Sequence, residues 1–141
     1  MDTVGKGPRP VLSAAQVRRT VAAVLDGERA GRAIVSVTFL STQRMRALNR
    51  ATLGRDRATD VIAFGLAHRD TLAGDIYVCP AAARHAARSL GIPEREELTR
   101  LVVHGTLHAL GHDHPASAKR TSAPMWRRQE RYVHTLMARS R

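Results

Sequence analysis

A chain of 141 residues can bury one hydrophobic core and is short for two domains of ordinary size. Its 23 basic and 12 acidic residues give a formal net charge of +11, and all the basic residues except Lys6 and Lys119 are arginines, so a polyanionic partner such as nucleic acid is favoured. A single cysteine excludes an intrachain disulfide, and without a signal peptide or a long apolar segment we expect a cytoplasmic protein with no membrane partner.

We divide the chain into a flexible N-terminal stretch over 1–10 and a single domain over 11–141. Hydrophobic periodicity and capping residues predict the elements of this domain in chain order. Its first half comprises a helix over about 14–28 capped by Ser13, a strand over 33–40, a helix from Ser41 to about Asn49, a basic loop over 50–58 and a strand over 60–66.

The second half is richer in helices. It comprises a polar connection over 68–73, a strand over 75–79, a helix from Pro80 to about Leu90, a helix over about 94–110, a loop over 115–123 and a helix over about 124–138 whose apolar residues are Trp126, Tyr132, Val133, Leu136 and Met137. This order of elements predicts an α+β fold, with some α/β character, in which helices pack on a small sheet.

The helix predicted over about 94–110 is apolar on almost every side, which is typical of a buried helix. His104 and His108 fall on the narrow strip between its apolar sides, and residues four apart share one helix face. After Gly111, which can end the helix in a left-handed conformation, His114 can supply a third nitrogen. Three imidazoles and an open fourth position describe a catalytic zinc site, although nickel, copper and iron accept the same ligands.

Three residues near the predicted ligands bear on the chemistry. We expect His112 to face solvent or substrate, and Asp113 either to orient an imidazole or to shape the turn. The spacing also matches the metzincin peptidase pattern H-E-x-x-H-x-x-G-x-x-H, except that Gly105 replaces its glutamate, which is the general base of those enzymes. A peptidase of that type is therefore disfavoured.

The run HGTLHALGHDH over 104–114 resembles the motif of the YbeY family of bacterial rRNA-maturation endoribonucleases. Further matches follow in the family's order within about 34–138, at Asn49, Gly54, 59–62, Phe64 and 74–76. The resemblance implies one Zn²⁺ per chain on His104, His108 and His114, and a small mixed sheet whose last two helices surround the metal. It also implies cleavage of single-stranded RNA in 16S rRNA 3′-end maturation and ribosome quality control, with the ribosome or ribosomal proteins as partners and no DNA.

Two positions depart from the family pattern. The family usually has an arginine four residues after the asparagine matched by Asn49, where it is held to contact RNA, and that position is Leu53 here; the family's serine before the matched phenylalanine is Ala63. The candidates for RNA contact are therefore Arg50, Arg55, Arg57 and His112. The candidates for catalysis, together with a metal-bound water, are Arg55, Arg57 and Asp113.

Two other functions stay open at this point. The chain could be a non-catalytic ribosome-assembly factor that binds RNA and holds a structural zinc, although structural zinc sites normally have four protein ligands. The less favoured alternative is a metallopeptidase. Because only 4% of the residues are aromatic, reading of the RNA sequence by base stacking is disfavoured.

Overall fold

The computed structural model describes residues 8–68, 70–111 and 123–139. Its elements are α1 (Ala14–Gly27), β1 (Arg32–Phe39), α2 (Thr42–Leu53), β2 (Val61–His68), β3 (Thr71–Val78), α3 (Pro80–Leu90), α4 (Glu94–Ala109) and α5 (Ala123–Arg139). The predicted order of elements and the single-domain α+β fold are confirmed. None of the helices within these ranges is long and apolar enough to cross a membrane.

The sheet has the strand order β1-β3-β2 and is mixed: β3 pairs in parallel with β1 and antiparallel with β2. The predicted polar connection over 68–73 is wrong, because β2 continues to His68 and β3 begins at Thr71, directly opposite it. Leu72 keeps the inward alternation of β3 and is buried. His68 and Thr71 are therefore paired strand residues, and Asp70 lies in a tight turn rather than in a long loop.

Helix α4 lies at the centre of the fold and contacts β2, β3, α1, α3 and α5. One core lies between α1, α4 and the inner face of the sheet and includes Val17, Val21, Val37, Ile76, Leu98 and Val102. A second core joins α4 to α5 through Val103, Leu107, Met125 and Val133. Because helices surround α4 on several sides, almost its whole surface is apolar, as its sequence predicted.

Local capping explains where α1 begins and where α2 ends. Ser13 accepts a hydrogen bond from the Gln16 amide, and the Gln16 side chain accepts one from Ser13, which completes a capping box at the start of α1. Helix α2 runs four residues past its predicted end, because the first residue after Asn49 that stops it is Gly54, whose φ of 69° is left-handed. The first part of the predicted basic loop is therefore helical.

The apolar face predicted for α5 is correct except for one residue. Val133 is buried, and Tyr132, Leu136 and Met137 pack against the core that α4 and α5 share. Trp126 instead keeps half of its surface exposed, whereas its neighbour Met125 is buried. The buried face of α5 therefore includes Met125 in place of the large aromatic residue Trp126.

Candidate active site

His104 and His108 occupy the accessible strip of α4. Over 101–109 every residue is buried except these two, which are half-buried. Their ring centroids lie 4.4 Å apart with the planes at 49°, as expected for side chains one helical turn apart. Two adjacent imidazoles on an otherwise buried helix are a donor set that suits a zinc ion.

The predicted centre includes three further residues. His112, Asp113 and His114 lie outside the described residues, so their assignments stay predictions. Within the described ranges no three histidine, cysteine or acidic side chains come together as a metal site. Gly111 has a φ of 95°, which matches the left-handed turn expected just before these three residues.

Gln129 of α5 is a neighbour of this centre that the sequence did not reveal. Its Oε1 lies 2.6 Å from Nδ1 of His104, and its Nε2 donates a hydrogen bond of 3.0 Å to Oε2 of Glu130. Gln129 is only 4% exposed. In the sequence it is one polar residue among several on an amphipathic helix, and nothing in the spacing of α5 relates it to a histidine 25 positions earlier.

Behind Gln129 lies a charged network centred on Arg100. Two hydrogen bonds of 2.9 Å join Arg100 to the Glu130 carboxylate, and it also donates to Glu97 and Glu96. Burial raises the pKa of the Glu130 carboxyl, but hydrogen bonds from Arg100 and Gln129 lower that pKa by more, so the group is ionised at neutral pH. The hydrogen bonds that Arg100 donates to the three glutamates, those to Glu130 above all, raise the pKa of Arg100.

Gly105, between the two histidines, packs directly on the sheet. A Cβ at this position would lie 2.6 Å from Cγ2 of Ile76 and 3.3 Å from Cγ2 of Val61. The glutamate of the metzincin pattern therefore has no room at this position. The packing of α4 on the sheet excludes the general base of that peptidase class.

A basic cleft of about 210 Å³ lies beside this packing contact. It is lined by Asn49 and Leu53 of α2, by Arg55, Arg57 and Thr59 of the following loop, and by 61–64 of β2. Val61 lines this cleft and also faces Gly105, so one β2 side chain joins the cleft to the helix that carries the histidines. Leu53, at the position where the resembled family has an arginine, is half-exposed within the lining.

The three candidate arginines of this region have different surroundings. Arg50 is held by Asp56 at 2.6 Å, and Arg46 binds the same carboxylate at 2.9 Å. Hydrogen bonds from Arg46 and Arg50 lower the pKa of Asp56 to about 2. Arg55 and Arg57 line the cleft. Among the described residues, neither guanidinium forms an ion pair.

Asn49 fixes the loop that carries these two arginines. Its side chain is buried, and Nδ2 donates a hydrogen bond of 2.8 Å to the backbone oxygen of Arg57. Its own backbone oxygen accepts a bond of 3.4 Å from the Arg55 amide. One residue at the end of α2 thus restrains the backbone at both arginines.

The chain is similar to proteins of a known family. The family model described as Endoribonuclease YbeY matches residues 10–137. The protein named Endoribonuclease YbeY from Thermotoga maritima is 38% identical over 99 residues, covering 70% of this chain and 65% of that protein. Its namesake from Persephonella marina is 32% identical over 108 residues, covering 73% and 71%. The matched part of the chain thus spans about two thirds of the length of these curated relatives.

The fold is also similar to a solved structure. A solution structure of a Thermotoga maritima protein superposes with a TM-score of 0.64 at 29% sequence identity. The superposition covers 92% of this chain and 87% of that one. The likeness extends over the sheet and the helices together.

Proposed function

Because the chain belongs to the YbeY endoribonuclease family, we propose that it is a zinc-dependent endoribonuclease that cleaves single-stranded RNA. The observation that carries the proposal is that His104 and His108 are the accessible residues of α4 over 101–109. They lie near the basic cleft, because Val61 lines that cleft and also packs against Gly105 between them. The substrate within this proposal is the 16S rRNA precursor, cleaved in the cytoplasm during 3′-end maturation and ribosome quality control.

His104, His108 and His114 would hold the metal. Imidazole nitrogens suit zinc, and three of them leave a position open for substrate. When bound, the metal supplies a Lewis acid for the phosphodiester. The burial of α4 on its other sides supports this assignment, because a rigid helix holds two of the ligands in fixed positions.

The role we assign to Arg55 and Arg57 is to bind the phosphate backbone and to offset charge that develops on it. Both line the cleft and lie on a loop restrained by Asn49, so their positions are partly set before RNA arrives. Arg50 is a weaker candidate, since Asp56 already occupies its guanidinium. Asp113 remains a predicted catalytic group and His112 a predicted RNA contact.

The packing at Gly105 favours a nuclease over a peptidase. The peptidases with this histidine spacing need a glutamate at that position, and Ile76 leaves no space for one. The net charge of +11 also suits a polyanionic substrate better than a peptide.

Cleavage of a labelled RNA by the purified, Zn²⁺-loaded full chain tests the proposal. A 5′-labelled single-stranded RNA is incubated with the wild type, with His108→Ala and with His134→Ala, an exposed histidine of α5 that serves as the matched control. We expect cleavage by the wild type and by His134→Ala, and loss of cleavage in His108→Ala and after removal of the metal with a chelator.

Two outcomes would contradict the proposal. RNA binding without cleavage by the wild type would favour the assembly factor with a structural metal. Metal-dependent hydrolysis of casein in a parallel assay would favour the peptidase.

A further inference from the structure

We propose that Gln129 is a positioning residue: it sets the tautomer of His104 so that Nε2, and not Nδ1, is the nitrogen offered to the metal. The assignment of a metal to His104 rests on the proposed function. The tautomer itself rests on the hydrogen bonds of the protein alone.

The first step is the contact between the two side chains. Nδ1 of His104 lies 2.6 Å from Oε1 of Gln129, which is hydrogen-bond distance. An amide oxygen only accepts hydrogen bonds, so the imidazole nitrogen facing it must carry the proton. Because Gln129 is almost fully buried, water is a poor substitute for this partner.

The second step is the orientation of the Gln129 amide. Its Nε2 lies 3.0 Å from Oε2 of Glu130, and an ionised carboxylate only accepts hydrogen bonds. A flipped amide would place its oxygen against that carboxylate and its NH₂ group against His104. Glu130 therefore determines that the oxygen of Gln129, and not its nitrogen, faces the imidazole.

The third step is the position of Glu130 itself. Arg100 holds both of its oxygens at 2.9 Å, in the bidentate geometry that arginine and carboxylate prefer. Arg100 is held in turn by Glu97 at 2.8 Å and by Glu96 at 3.0 Å, both on its own helix. A salt-bridged network on α4 and α5 thus fixes the amide before any metal binds.

The consequence concerns the far side of the imidazole ring. With the proton on Nδ1, the ring's lone pair is on Nε2. Hydrogen bonds of this kind, between a ligating histidine and an acceptor behind it, fix the ring and commonly change metal affinity 10- to 100-fold. The neutral amide of Gln129 fixes the ring of His104 without placing a charge next to the proposed metal ligands.

The tautomer can be read in the metal-free full chain by two-bond ¹H–¹⁵N correlation spectra of ¹⁵N-labelled histidines. The variants are Gln129→Leu, which removes the acceptor, and the double variant Gln129→Glu/Glu130→Gln, which exchanges the amide and the carboxylate and so retains both an acceptor for His104 and a donor between residues 129 and 130. The matched control is Gln43→Leu, an exposed glutamine of α2. We expect the Nδ1–H tautomer of His104 in the wild type, in the exchange variant Gln129→Glu/Glu130→Gln and in Gln43→Leu, and its loss in Gln129→Leu.

Zn²⁺ affinity, measured by competition with a chromogenic chelator, is the second readout. We expect Gln129→Leu to bind Zn²⁺ about 10- to 100-fold more weakly than the wild type. The affinity of Gln43→Leu should stay within a few-fold of the wild type, and the exchange variant Gln129→Glu/Glu130→Gln should bind Zn²⁺ no more than a few-fold more weakly. Rescue by the exchange variant separates a hydrogen-bond effect from a packing defect in Gln129→Leu.

The two proposals fail in different ways. A proton on Nε2 in a wild-type chain that binds Zn²⁺, or unchanged affinity in Gln129→Leu, would overturn the positioning role alone. A wild-type chain that does not bind Zn²⁺ would overturn the proposed function and, with it, the assignment of the metal to Nε2.

Discussion

Gly105 of α4 lies so close to Ile76 of β3 that a Cβ on residue 105 would be 2.6 Å from the Ile76 Cγ2. A glycine within a helix costs about 0.5–1 kcal/mol relative to alanine, so some other contact must favour it here. That contact is the close approach of α4 to the sheet. The approach leaves His104 and His108, on either side of Gly105, as the accessible residues of this part of α4.

Gly105→Ala should destabilise the protein. In an exposed helix the change is stabilising, but here the new methyl group overlaps a side chain that the surrounding core holds in place. We expect the free energy of unfolding in urea to fall by about 1–3 kcal/mol.

A double-mutant cycle identifies the cause of that loss. Ile76→Ala removes the atom that blocks the site, so adding Gly105→Ala to that background should cost much less than it does in the wild type. If the glycine substitution costs the same in both backgrounds, the contact with Ile76 is not the reason for the glycine.

Arg55→Ala and Arg57→Ala should each weaken binding of a single-stranded RNA. Each removes one phosphate contact, so the slope of log affinity against log salt should decrease in magnitude by about 0.7. Fluorescence anisotropy with a non-cleavable RNA at several salt concentrations measures both quantities. Arg50→Ala is the matched control and should have the smallest effect, because Asp56 already binds that guanidinium. An equal loss in all three variants would indicate a general effect of net charge.

Asp56→Asn should strengthen RNA binding. With a pKa of about 2, the Asp56 carboxylate is ionised at any pH of practical use and holds Arg46 and Arg50. Its neutralisation makes both arginines available to phosphate, so affinity at low salt should rise and the salt dependence should steepen. Asp26→Asn, an exposed position on α1, makes the same change in charge away from the cleft. If it strengthens binding equally, the released arginines have no specific role.

Tyr132 should ionise at about pH 12 in the folded protein. Burial, followed by its hydrogen bond of 2.5 Å to Glu28, raises the pKa of the phenol to about 12. The fold therefore favours the neutral phenol. That contribution to stability is complete below pH 10, where the unfolded chain also keeps the proton, and is lost as the pH rises towards 12.

Ultraviolet absorbance of phenolate tests this shift. In Tyr77→Phe the only tyrosine left is Tyr132, so its titration can be followed alone. Adding Glu28→Gln should lower the midpoint, because the neutral amide no longer disfavours the phenolate. A midpoint near 10 in the folded Tyr77→Phe variant would contradict the assignment.

The sequence was most informative where one local signal determines the structure. Ser13 starts α1, Gly91 ends α3 in a left-handed conformation, and the apolar surface of α4 singles out its two histidines. Each of these features depends on residues within a few positions, so spacing and residue type were sufficient.

The errors arose where contacts between residues far apart in the sequence determine the structure. The first part of β3 was predicted as a polar connection, because that part forms a strand only through its pairing with β1 and β2. No local sequence pattern reveals this pairing. The contact between Gln129 and His104 exists only once α5 lies against α4. Neither contact has a signature in the spacing of its own element.

The parallel pairing of β1 with β3 also has a consequence for biosynthesis. The first residues of the two strands, Arg32 and Thr71, are separated by all of α2 and β2, so β1 leaves the ribosome before its partner has been made. The β2–β3 hairpin can close locally, but β1 must wait with its backbone unpaired and with Val35 and Val37, which the complete fold buries, still exposed. During that interval the unpaired β1 is most able to pair with another chain. Arg32 places a charge at the start of β1, and charged residues on an unpaired strand disfavour such pairing.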